Sequence, residues 1–231
     1  MERITIWIGF ALWATTAGCA ASGGGDNGPD AQLGTADLVD DLEDGDDAIL
    51  AAGGRVGNWY TFHDATATGT QMPSDADFTP ASGGADGSKF SAETSGMGFT
   101  DWGAGMGFDL NNAGTTRGMY DASKYKTLAF KAKGNVTLRL AFEIAGTVPN
   151  TEGGQCAPSM TAGMECEDMH GTTIKLTADW KEYEIPFKDL KQEGWGKVVG
   201  FDPKTAMGIS FQTAEPNVVF DFAIDDVRFY E

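Results

Sequence analysis

Apolar and polar residues alternate with a period of two over several short stretches of the chain, the signature of strands with one oily and one polar face. Across residues 127–133, Leu128, Phe130 and Ala132 alternate with Ala129, Lys131 and Lys133. Across 136–144, Leu138, Leu140, Phe142 and Ile144 alternate with Thr137, Arg139, Ala141 and Glu143. Gly134-Asn135 lies between these two runs and predicts a tight hairpin. Further runs place Tyr183, Ile185 and Phe187, then Met207, Ile209 and Phe211, then Phe220, Phe222 and Ile224 on inward faces. Many short two-faced strands predict an all-β fold of antiparallel sheets packed face to face, a β-sandwich or jelly roll. Trp180 and Tyr183 are expected in its core. Residues 37–50 imitate a helix through Leu38, Leu42 and Ile49, but an Asp-rich run and Gly45 weigh against one.

The 231 residues suffice for one such domain, assigned here to 37–231. The start of the chain does not share the pattern. Arg3 precedes an apolar run over residues 4–13, too short for a spanning helix, and small residues follow. This reads as a secretory signal peptide over 1–18. Thr16-Ala17-Gly18-Cys19 resembles a bacterial lipobox, departing from it at Thr16. The resemblance implies lipidation of Cys19, with Ala20 after it matching an outer-membrane sorting signal; cleavage near Ala20 or Ala21 is the alternative. Residues 19–36 are rich in Gly and Asp and are expected to form a disordered tether.

Composition narrows the partners. The formal net charge of −18 leaves no basic face for nucleic acid. It fits either a self-repelling soluble surface or carboxylates gathered around a hard cation. The 32 glycines favour turns over long helices. Apart from Cys19, only Cys156 and Cys166 remain, and an even pair in an exported chain reads as a disulfide. The alternative is a metal site with His170, which does not match a zinc spacing. The pair lies in a long loop, 147–171, where Asp168 and His170 are a second candidate pair for a metal or a ligand hydroxyl against a solvated acidic loop. A phosphate-loop reading of Gly103-Ala104-Gly105-Met106-Gly107 fails, because Phe108 follows and no helix does. No Gly-x-Ser-x-Gly nucleophile is present, and acids are too many for any chosen pair to mark a hydrolase.

Four segments carry a family resemblance: 38–45 (LVDDLEDG), 179–187 (DWKEYEIPF), 208–212 (GISFQ) and 222–229 (FAIDDVRF). In this order they resemble the galactose-binding-like β-sandwich superfamily, in particular family-11-type carbohydrate-binding modules and the complex-I intermediate-associated domain. The segment 98–110, the Cys pair and Gly194-Trp195-Gly196 are similar to a subgroup of myxobacterial lipoproteins.

The resemblance implies a structural calcium between the first and last strands, held at matching positions by Asp41, Glu43 and Asp226, with Asp225 as an alternative; the competing reading is acids that face water. It also implies a glycan site on one sheet's polar face, where rings stack on sugar C–H faces and charged or amide groups bind hydroxyls. The ligand-binding residues expected there are Trp59, Trp102, Arg139, Glu143, Trp195 and Gln212, with Tyr60 nearby. The expected function is a non-catalytic, surface-tethered carbohydrate-binding module of a bacterial lipoprotein, anchored to the outer membrane by lipid alone, whose partner is a polysaccharide or an envelope component. The alternative is a structural or protein-interaction envelope lipoprotein without a sugar ligand.

Overall fold

The computed structural model describes residues 34–74, 78–114 and 116–231. The expected signal segment, Cys19 and residues 19–33 of the tether lie outside the described residues. The strands are β1 (Ala36–Asp40), β2 (Trp59–His63), β3 (Thr70–Met72), β4 (Ala81–Ser82), β5 (Phe90–Met97), β6 (Ala104–Asp109), β7 (Thr127–Gly134), β8 (Thr137–Ile144), β9 (His170–Lys175), β10 (Lys181–Pro186), β11 (Ala206–Thr213) and β12 (Phe220–Tyr230). One sheet runs β10-β7-β12-β5-β3, with β1 added on β12 and β4 on β5; the other runs β2-β6-β11-β8-β9. Ladders within both sheets are antiparallel, so the expected all-β sandwich is what the chain forms.

The alternation accounts for the core. Leu138, Leu140, Phe142 and Ile144 of β8 are fully or almost fully buried, as are Leu128, Phe130 and Ala132 of β7. Rings join the two sheets: Phe130 of β7 meets Phe211 of β11 edge-on at 5.0 Å between centroids. In two places a bulge changes the parity of the pattern. Between Asp225 and Arg228 the register of β12 shifts, with Asp226 at φ 55, so that Phe222 and Ile224 point inward before it and Val227 and Phe229 after it. A shift between Ala206 and Gly208 sends Met207 into a small separate cluster with Ala145 and Val148, away from Ile209 and Phe211.

Two expectations need correction. Gly134-Asn135 is not a hairpin: β7 and β8 belong to different sheets, and the segment carries the chain from one layer to the other. Gly134 N donates to Thr177 O, and the Asn135 side chain accepts from Asp221 N. The oily faces of the two strands meet across the sandwich rather than side by side, an arrangement with the same periodicity. Trp180 is not core; it is half-buried, with Lys133 Nζ 4.9 Å from its ring. Tyr183 does pack against the core, stacked 5.7 Å from Phe130.

Buried acids tie β1 and β12 to their surroundings. Asp40, 1% exposed, accepts from Leu42 N and from Trp59 Nε1 at 2.7 Å. Burial pushes its carboxyl up to about 6 against those two hydrogen bonds. Asp225, buried and accepting from the Ala85 and Asp226 amides, is raised for the same first reason. Asp37 moves the opposite way, down to about 2, because its hydrogen bond with buried Arg55 outweighs partial burial. A raised folded-state pKa contributes stability that is fully present below the ordinary 3.8 and is lost as pH rises through about 6. A depressed one contributes stability that is present above 3.8 and is lost as pH falls through about 2. The raised Asp40 and Asp225 carboxyls outnumber buried His170, whose lowered pKa pulls the other way, so the melting midpoint is expected to be higher at pH 5 than at pH 7.5 and to drop again below pH ~3. Calorimetry across that range checks it, and a midpoint that climbs steadily from pH 5 to 7.5 would contradict it.

Candidate functional site

The outward face of the second sheet is built from three rows that run across its strands. One row is Phe62, Gly105, Gln212, Arg139 and Thr173; the next is Tyr60, Gly107, Ser210, Ala141 and Gly171. The third brings together Asp109, Gly208 and Glu143. Between β6 and β9 the middle row holds nothing larger than a serine, so it is a trough. Three inter-strand gaps of ~4.8 Å make it roughly 14 Å long. A cleft of about 630 Å³ opens over it, lined by the larger side chains of these rows, by Ser210 and Ala141 of the floor, and by Trp102 and Trp195.

Rings form the wall at the β2 side. Tyr60 and Phe62 lie 6.1 Å apart, and Phe62 and Trp102 are again 6.1 Å apart. Phe62 needs Gly105 beside it, because a Cβ there would stand 2.7 Å from the Phe62 ring. Trp102 and Trp195 are 44% and 47% exposed, large apolar surfaces left open to solvent.

Polar groups flank the trough. Arg139 donates to Met169 O and Lys191 O and pairs with Glu193 at 3.4 Å, so its guanidinium is fixed in place. Gln212 Nε2 donates to Trp102 O at 2.7 Å, which ties the sheet to the Trp102 loop. At the far row, Arg117 bridges Glu143 and Asp109, the latter at 2.7 Å. Burial works against the Arg117 charge, but Glu143, Tyr60 and Asp109 outweigh it and raise its pKa. Burial pushes the Asp109 carboxyl up despite Arg117. The Tyr60 phenol is raised well above its ordinary value, first by burial and then by the Glu143 carboxylate.

Of the six expected ligand residues, five line this one cleft: Trp102, Arg139, Glu143, Trp195 and Gln212. Trp59 does not. It is 2% exposed, packed between Phe108 at 4.7 Å and Phe78 at 5.9 Å, with its indole hydrogen bonded to Asp40. Trp59 and Tyr60 are neighbours on one strand and so face opposite sides of the sheet. Phe62, Arg117 and the trough of small residues were not anticipated. The Gly105 and Gly107 positions, alternating with Ala104, Met106 and Phe108, were the signal for that trough.

The loop at 147–171 is closed by the Cys156–Cys166 disulfide. Its Asp168 is not a solvated acid: it is 2% exposed and accepts from the amides of Glu193, Gly194 and Gly196. His170 is buried beside Phe201, its ring centroid 5.3 Å away, and burial lowers its pKa.

The acids expected around calcium already have partners. Asp226 pairs with Lys131 at 2.6 Å and Arg228 at 2.5 Å. One Glu43 oxygen accepts from Ser88 Oγ and from the Lys89 and Phe90 amides, and Asp41 accepts from Glu43 N. Among the described residues no group of three or more His, Cys, Asp and Glu side chains is gathered so as to hold a metal. A structural calcium is thus a proposal of the resemblance that requires Asp226 to exchange two cationic partners for the ion; a melting midpoint lowered by a chelator would be its signature.

Comparison with known proteins bears on the chain as a whole. Residues 48–231 match the family model of Carbohydrate binding domain 30. A stretch of 49 residues is 45% identical to Endoglucanase 3 of Fibrobacter succinogenes, which amounts to 21% of this chain and 7% of that protein. Among solved structures, the family 11 carbohydrate-binding module of a cellulosomal cellulase of Clostridium thermocellum superposes with a TM-score of 0.53 at 19% identity, covering 85% of this chain and 94% of that one. The family 30 module of another cellulosomal cellulase of that organism gives a TM-score of 0.54 at 16% identity, covering 84% and 96%. At these identities the structural likeness speaks for the fold, a β-sandwich of two antiparallel sheets.

Proposed function

Because the chain belongs to the carbohydrate binding domain 30 family, we propose that its five-stranded face holds an unbranched, uncharged glucan and does not cleave it. The observation that carries this reading is the trough: a floor of Gly107, Ser210, Ala141 and Gly171 that lets a flat chain lie close to the sheet, with open rings around it. Tyr60, Phe62, Trp102 and Trp195 offer π-faces to sugar C–H groups. Arg139, Glu143 and Gln212 stand beside the floor, where hydroxyl groups would lie. The relatives named above are an endoglucanase and the binding modules of two cellulases, which favours a β-linked glucose polymer.

The charge balance of the cleft argues for a neutral ligand. Asp109, Glu143, Glu152, Glu167, Asp168 and Glu193 line it against Arg117 and Arg139, and both arginines already pair with acids. A polyuronate would meet net repulsion there. The protein is expected to be retarded in affinity gels that contain mixed-linkage β-glucan or hydroxyethylcellulose and to run unretarded with polygalacturonate. Silence across plant, bacterial and host glycans would favour the second reading, an envelope lipoprotein that uses this face for a protein partner.

The absence of catalysis in the whole chain is part of the proposal, supported by a match to a binding family and by no nucleophile motif in the sequence. Lipid attachment at Cys19, the 19–36 tether and an outer-membrane location belong to it too, and their support is the sequence alone.

A further inference from the structure

The two exposed tryptophans of the cleft sit on loops that share one device. Trp102 is flanked by Asp101 and Gly103, whose amides both donate to Oδ2 of Asp64, at 3.0 and 2.9 Å. Trp195 is flanked by Gly194 and Gly196, whose amides both donate to Oδ2 of Asp168, at 2.8 and 3.1 Å. In each case the remaining oxygen takes one more amide, Thr66 N at 2.9 Å for Asp64 and Glu193 N at 2.8 Å for Asp168. Both aspartates are buried, at 1% and 2% exposure, while the tryptophan between the paired amides is nearly half exposed. The two loops are far apart in sequence and rest on different strands, so the repetition is not a by-product of one local fold.

We propose that Asp64 and Asp168 are positioning residues for glycan binding: each holds the backbone on both sides of a stacking tryptophan, so that the ring is already presented before the sugar arrives. An exposed ring on an untethered loop would have to be ordered during binding, and that ordering weakens affinity. A buried carboxylate with three amide donors removes much of the freedom beforehand, since charge-assisted bonds are the strong ones. The ionised form of Asp64 is itself held in place: burial opposes its charge, yet the Thr66, Gly103 and Asp101 hydrogen bonds outweigh burial and bring its carboxyl down to about 2. Asp168 lies two residues after Cys166, which the disulfide ties to Cys156, and Gln192 Nε2 donates to Asp168 O and Lys197 O, so the Trp195 clasp is anchored on both of its strands of backbone.

This inference rests on the glucan reading for its affinity readout but not for its structural one. The substitutions are Asp64→Asn and Asp168→Asn, which keep the shape but replace one acceptor oxygen with a donor group. Each is combined with alanine at its own tryptophan, Trp102→Ala or Trp195→Ala, in a double-mutant cycle read by calorimetric titration with a mixed-linkage β-glucan oligosaccharide. Each Asn variant is expected to bind about tenfold more weakly, the scale of one disrupted charged hydrogen bond. In the background that lacks its tryptophan, the same substitution is expected to cost almost nothing further.

The second readout needs no ligand. In ¹⁵N spectra the indole signal of the clasped tryptophan should shift or broaden in the matching Asn variant, while that of the other stays in place. Losses that add fully with the tryptophan deletion, or unchanged affinity with unchanged indole signals, would overturn the proposal. If Asp168→Asn does not fold, Gly196→Ala serves in its place, because a Cβ there would stand 2.7 Å from both Asp168 Cβ and Glu165 O and displace the clasp while leaving the carboxylate itself in place; for Asp64→Asn the substitute is Gly103→Ala, at a positive φ of 96. If the unsubstituted protein binds no glucan, the functional reading fails and the indole spectra alone decide the clasp.

Discussion

Replacing Trp59 by alanine is expected to lower the unfolding free energy by ~3–5 kcal/mol, a large part of the total for a domain of this size. The ring is 2% exposed and fills space between the two sheets, against Phe78 and Phe108 and within 6.4 Å of Phe211. Removing it leaves a cavity that rigid β-strands cannot collapse into. It also takes the indole donor from Asp40, a buried carboxylate already pushed up to about 6 by burial. An acceptor buried without its partner adds further cost. Urea denaturation reads the effect, and Trp59→Phe should recover a good part of the packing but not the hydrogen bond. A denaturation midpoint that stayed put while glycan affinity fell would return Trp59 to the binding surface.

Trp59 also shows where sequence reasoning stops. Residues 59–63 read Trp-Tyr-Thr-Phe-His, with aromatic side chains on both faces of the strand, so period-two alternation gives no sign of which face turns inward. The deciding partner, Asp40, lies 19 residues away. β8 was legible for the opposite reason. Its Leu138, Leu140, Phe142 and Ile144 contrast with Arg139 and Glu143, and that contrast alone placed both polar residues on the outer face where the cleft lies.

Alternation tells a strand's faces apart but not its neighbours, which is why Gly134-Asn135 read as a hairpin and turned out to be the passage between sheets. The clasps were hidden for a related reason. Asp64 and Asp168 look like any loop acids in an acidic chain, and only the folded backbone brings two amides onto one oxygen of each. The trough was half visible, in the glycines that alternate with large residues along β6, but its extension through Ser210, Ala141 and Gly171 depends on strand order and register.

Trp102→Ala and Trp195→Ala form the opposite experiment to Trp59→Ala, and the contrast tests the whole assignment. Both rings are nearly half exposed, so truncation should leave the unfolding free energy within ~0.5 kcal/mol of its starting value. Binding should suffer instead. An aromatic anchor in an otherwise small-floored cleft is worth ~1–3 kcal/mol, which is about 5- to 150-fold in affinity for each substitution. The two loops are held by separate aspartates, so the losses should combine, and the double variant is expected to show no retardation in a β-glucan gel. Tyr60 and Phe62 would still be present in that variant, and their rings at the β2 wall alone do not span the trough. A double variant that keeps full affinity and a full melting midpoint would place the glycan elsewhere on the sandwich. One that loses both together would mean that the exposed rings serve folding rather than recognition.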